Sequence, residues 1–121
     1  MPSRNPLQRF EDILENVLRI EQFTAGLDSS TFARDLRTSY AVERCLERIS
    51  EAAKKLGTAA EDLCPGVPWA KLRGLGNLLR HEYDAVDVQR VWLMVTDDLG
   101  SLKVSVQEVV SKLRDRSLES N

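Results

Sequence analysis

Aromatic residues make up only 6% of the 121 positions, and four prolines and six glycines are all that interrupt the chain. No segment alternates apolar and polar residues with a period of two, so no strand is expected. Two cysteines, Cys45 and Cys64, are too few and too isolated for a disulfide framework and read as reduced, semi-buried thiols. No apolar run approaches the roughly 20 residues that span a bilayer. The start, Met1-Pro2-Ser3-Arg4-Asn5, lacks the apolar stretch of a signal peptide. A soluble, cytoplasmic protein with no membrane attachment is the expectation. The single histidine excludes multi-histidine metal sites and most histidine-rich catalytic schemes. With no strand there is no strand-borne glycine-rich loop to cradle a phosphate. Neither a metal nor a cofactor is expected.

What is present is helical. Hydrophobic residues at 42% and charged residues at 30% describe one folded domain. It is drawn as residues 1–117, with 118–121 a frayed polar tail. Asn5 can cap a first helix to about Ala25, with Pro6 in its first turn and Leu7, Phe10, Leu14, Val17 and Leu18 as its apolar stripe. Asp28, Ser29 and Ser30 can cap a second stretch reaching Leu56, with a break near Arg37–Ser39 where the periodicity slips. Its inward side reads as Leu36, Tyr40, Val42, Leu46, Ile49, Ala53 and Leu56, and Gly57 closes it. Cys64-Pro65-Gly66-Val67-Pro68 is the clearest turn, and a third helix follows from Trp69 to about Arg80. Gly74 and Gly76 lie inside it at about 1 kcal/mol each relative to alanine, which suggests close approach of another backbone or a ligand.

The last helix, capped by Asp87, is the most regular. Val88, Trp92, Val95, Leu99, Leu102, Val106, Val109 and Leu113 alternate steps of four and three over roughly 39 Å. That seam serves either the core of one bundle or a contact between two subunits. The fold class is all-α, an up-and-down bundle of four to five helices.

The net charge of −2 gives no global attraction for nucleic acid. Locally the picture changes, because Leu63 to His81 holds no acidic residue while Lys71, Arg73, Arg80 and His81 lie within or at its end. This run is either a phosphate-binding face or an ordinary solvated one with cations near a helix C-terminus. His81 falls where the third helix should end, as a reactive imidazole in a cleft or as a histidine bonded to the last carbonyls.

The run Pro68-Trp69-Ala70-Lys71-Leu72-Arg73-Gly74-Leu75-Gly76-Asn77-Leu78-Leu79-Arg80-His81-Glu82-Tyr83-Asp84, then Val86-Asp87 and Val91-Trp92, resembles the signature region of HepT-like proteins, within the wider HEPN group. The stretch Ala41 to Ala53 resembles that family's second helix. The resemblance implies a helical bundle that dimerises around a composite cleft and cuts RNA without metal. It also implies the toxin half of a bacterial toxin–antitoxin pair whose antitoxin is a nucleotidyltransferase. By matching positions it makes His81 the catalytic base and Asn77 part of the motif, and Tyr83 the residue to which the partner adds AMP. The motif's arginine position is occupied by Gly76. Arg80 or Arg73 is then the candidate substitute in catalysis, and Lys71, Arg73 and Arg80 are the candidate phosphate contacts. If no cation replaces the arginine, the alternative is a non-catalytic helical binding subunit of the nucleotidyltransferase.

Overall fold

The structure, a computed structural model, describes residues 5–81 and 88–119 (for 80, 81 and 119 the backbone only). Asn5 starts helix α1, Pro6–Thr24, its side chain accepting from the Gln8 N–H at 3.2 Å with Pro6 in the first turn. Phe10, Ile13, Val17 and Ile20 form its buried face, and Gly26 leaves it at φ +77°. Asp28 then opens a six-residue helix α2, Ser29–Arg34, through a reciprocal capping box with Thr31.

The break before the next helix lies at Asp35, two residues ahead of the expected Arg37–Ser39. The cause is local hydrogen bonding. The Asp35 N–H donates to the Phe32 carbonyl and closes α2, while its carboxylate accepts from the Thr38 N–H and hydroxyl and opens α3, Leu36–Leu56. Those bonds hold the Asp35 carboxyl below its ordinary range. The expected burial of Leu36 and Tyr40 is corrected: they are 60% and 65% exposed. Val42, Leu46, Ile49, Ala53 and Leu56 do face inward. At about 100° per residue, Leu36 and Tyr40 stand about 120° and 160° round the helix from Val42.

Gly57, at φ +55°, ends α3, and a short helix α4, Ala59–Leu63, follows that periodicity did not suggest. The Cys64–Pro68 turn is present, with Gly66 at φ +93°. It delivers Trp69, 2% exposed, into the core at the start of α5, Trp69–His81. The indole N–H donates to the Cys64 carbonyl at 2.8 Å, and the ring meets Phe10 edge-on with centroids 6.0 Å apart. Cys45 and Cys64 are both buried, and burial pushes both thiols up, away from the reactive thiolate.

The single last helix is also corrected. It divides into α6, Val88–Leu93, a π-helical turn, Met94–Asp98, and α7, Leu99–Glu119. A π turn carries an extra residue, which shifts the helix phase. Leu99, Leu102, Val106 and Val109 are deeply buried, whereas Val88, Trp92 and Val95 only border the core, with Trp92 against the Phe32 ring at 5.0 Å. The proposed cap, Asp87, lies outside the described residues.

The elements form an all-α bundle with no strand among the described residues. Helix α3 packs on both α1 and α5, and α1 also packs on α7. The seam of α7 is therefore used inside the chain and is not left over for a second subunit. Among the described residues, no helix is long and apolar enough to cross a membrane.

Candidate active site

Helix α5 carries most of the candidates, and its last residue is His81. Adjacent helical residues face different ways, so positions 80 and 81 do not share one face of a helix. Tyr83, with Glu82 and Asp84, lies outside the described residues, and of Arg80 and His81 only the backbone is described. Asn77 is exposed.

Arg73 is committed elsewhere. Its guanidinium donates to the Gly57 carbonyl at 2.8 Å, satisfying the end of α3, and to both carboxylate oxygens of Glu61 on α4, one at 3.2 Å. The Glu61 carboxyl is accordingly held below its usual range, chiefly by that hydrogen bond. Lys71 Nζ pairs with the Asp98 carboxylate of the π turn at 3.3 Å. Both partners are more than half exposed, so this bridge is weak and opens readily. The acid-free run thus holds in the sequence but not in space, because Asp98 and Glu61 are brought in from other elements. By helix rise, positions 71 and 73 also lie about 15 and 12 Å before His81. The structure does not bring Lys71 and Arg73 together with His81.

The two glycines divide. Gly76 is buried between α5 and α3, and its N–H donates to the Ser50 hydroxyl at 3.1 Å. Close approach of α3 accounts for it. Gly74 is exposed, and among the described residues nothing stands within 4 Å of where its Cβ would be. Ala70, Gly74 and Asn77, at steps of four and three, make one exposed face of small residues on α5. Ser50 is the residue that the sequence reading passed over. Its signal was a lone polar side chain on the inward stripe Leu46, Ile49, Ala53 of α3.

A cavity of about 110 Å³ lies between the start of α5 and the π turn. It is lined by Val67, Pro68, Leu72, Leu75, Met94 and Leu99, with Lys71 and Asp98 at its edge. Its lining is mostly apolar, and it is bordered by the opposite end of α5 from His81.

The profile of the ribonuclease HepT-like family matches residues 13–109, which include most of α1, all of α3 and α5 and the segment around His81. The chain belongs to this family. A Thermococcus cleftensis protein named probable ribonuclease HepT is 39% identical over 93 residues, 77% of this chain and 84% of that one. Two candidate RNases of Methanocaldococcus jannaschii are similar as well. One is 35% identical over 98 residues, covering 81% of this chain and 90% of its own. The other is 31% identical over 116 residues, covering 96% and 100%. No solved structure was found to match with significance. Membership of the HepT-like family supports a ribonuclease function, with RNA as the class of substrate.

Proposed function

We propose that the chain is the toxin half of a toxin–antitoxin pair, a metal-independent endoribonuclease that works as a homodimer with His81 as its acid–base group. The observation that carries the reading to this residue is the position of the lone histidine at the end of α5, inside the segment matched by the HepT-like profile. A histidine titrates near neutrality, so it can take the proton from a ribose 2′-hydroxyl as that oxygen attacks the adjacent phosphorus. The 5′-oxygen of the next nucleotide leaves with a proton, and a cyclic phosphate remains. The test is cleavage of labelled RNA by the unaltered protein and by His81→Ala in the presence of EDTA.

The non-catalytic reading, a binding subunit for a nucleotidyltransferase, is favoured by one observation. Gly76 stands where the resemblance puts the arginine, and it is buried against α3. In the dimer, Arg80 of either copy is the remaining candidate for the cation.

The dimer is supported by Gly74. A glycine inside a helix costs about 1 kcal/mol relative to alanine, and among the described residues of one copy nothing calls for it. A small-residue face on α5 admits a second backbone closely. Sedimentation equilibrium at micromolar concentration should therefore give twice 13.7 kDa for the unaltered protein and a shift toward the monomer for Gly74→Leu. A 13.7 kDa species alone for the unaltered chain would remove the dimer. So would Gly74→Leu assembling as the unaltered chain does, as far as this face is concerned.

Tyr83 is proposed as the site at which the partner nucleotidyltransferase attaches AMP. The phenol oxygen attacks the α-phosphorus of ATP, pyrophosphate leaves and the phenol proton is lost. The phosphodiester would put negative charge two residues from His81, in the way of the RNA backbone. Mass spectrometry after incubation with the partner and ATP should find one AMP on a peptide containing Tyr83 and none on Tyr83→Phe. Modification that persists in Tyr83→Phe places it elsewhere.

A further inference from the structure

Ser50 on α3 is 1% exposed. Its hydroxyl accepts from the Gly76 N–H at 3.1 Å and donates to the Arg73 carbonyl at 3.0 Å. Both partners are backbone groups of α5, one turn apart and immediately ahead of Asn77. In a regular helix the N–H of residue 76 points to the carbonyl of 72, and the carbonyl of 73 accepts from 77. A side chain of the neighbouring helix therefore reaches the α5 backbone itself. Gly76, which is buried, has no side chain of its own beside that N–H.

Apart from these bonds and the Arg73 bond to the Gly57 carbonyl at the end of α3, the two helices bring buried apolar side chains, among them Leu46, Ile49, Ala53, Leu75 and Leu79, and apolar burial has no direction. It resists separation of two helices far better than rotation of one about its axis. Two hydrogen bonds to fixed backbone groups do have direction. A rotation of about 20° moves a side-chain tip about 5 Å from the helix axis by about 1.7 Å. A misplacement of about 1 Å can cost roughly 10²-fold in rate. His81 is five residues, about 7.5 Å, further along the same helix.

We infer that Ser50 is a positioning residue for the site, setting the rotation of α5 and hence the placement of Asn77 and His81. The catalytic part of this inference rests on the proposed ribonuclease reading, and its structural part does not. The single histidine makes the test clean, because one imidazole gives one set of ring signals in NMR spectra.

Ser50→Ala should shift or broaden the His81 ring signals and lower kcat roughly tenfold to hundredfold with little change in KM. Ser50→Thr keeps the hydroxyl and should bring back both. Val106→Ala, a cavity in α7, supplies the comparison: it should lower Tm while leaving the His81 signals in place. Unchanged His81 signals in Ser50→Ala, with only a lower Tm, would overturn the inference and leave Ser50 an ordinary packing contact. If Ser50→Ala fails to fold, Ser50→Cys, close in size but a weak hydrogen-bonding group, takes its place with the same expected displacement. If the unaltered protein cuts no RNA, the ribonuclease reading fails, and the ring signals still decide for or against Ser50.

Discussion

Replacing His81 by alanine is expected to reduce RNA cleavage by roughly 10²- to 10⁴-fold, the range of a full proton-transfer contribution. With one histidine in the chain, no second imidazole can take over. The substrate's own 2′-hydroxyl is the nucleophile, so the products should end in a cyclic or 3′-phosphate, and EDTA should change nothing. Equal cutting by the unaltered protein and His81→Ala would take His81 out of the mechanism. No cutting by the unaltered protein at any dose would favour the binding-subunit reading. Gly76→Arg bears on the missing cation. Position 76 is buried, and its N–H serves Ser50. Arginine there should therefore lower stability before it can restore activity, since an unpaired buried guanidinium is costly. A Gly76→Arg protein that melts like the unaltered one and cuts faster would show that the cation was the missing part and that position 76 has room for it.

Trp69→Ala should be the most destabilising single change outside the site. The indole is 2% exposed, packs edge-on against Phe10 and bonds the Cys64 carbonyl, so it joins the turn, α1 and α5. Truncation of a buried tryptophan costs about 3–5 kcal/mol. Against a total stability of about 5–15 kcal/mol, that is a large share. At fixed protein concentration the melting temperature should fall by roughly 10–20 °C. Trp69→Phe keeps a ring but leaves the Cys64 carbonyl without its donor, and should cost less, about 1–3 kcal/mol. A Trp69→Ala protein melting within a few degrees of the unaltered one would show that the turn is anchored by other contacts.

The residues that announce helix ends act within four positions, and these were legible. Asn5, Asp28 and Gly57 stand where the reading put them, and the turn before Trp69 is where Pro65, Gly66 and Pro68 indicate. The family was legible by a different route, the run from Pro68 to Asp84 that resembles the HepT-like signature, and the family match bears that resemblance out. The shift of the α2–α3 break to Asp35 came from a carboxylate whose capping reached Thr38. The π turn has no comparable marker, because its extra residue alters phase without altering composition.

The sequence by itself determined an all-α chain, the approximate ends of its long helices and the family to which it belongs, since caps, turns and apolar spacing are local properties. Tertiary structure alone decided what each surface is used for. Asp98 meets Lys71 across 27 positions, Glu61 meets Arg73 across 12, and Ser50 reaches Gly76 across 26. No periodicity records such pairings, because they exist only after α3, α4, α5 and the π turn have packed. The same packing buries the seam of α7 within one copy and leaves the Gly74 face open among the described residues. Apolar spacing specifies that a face will be covered; the relative placement of the helices decides by what.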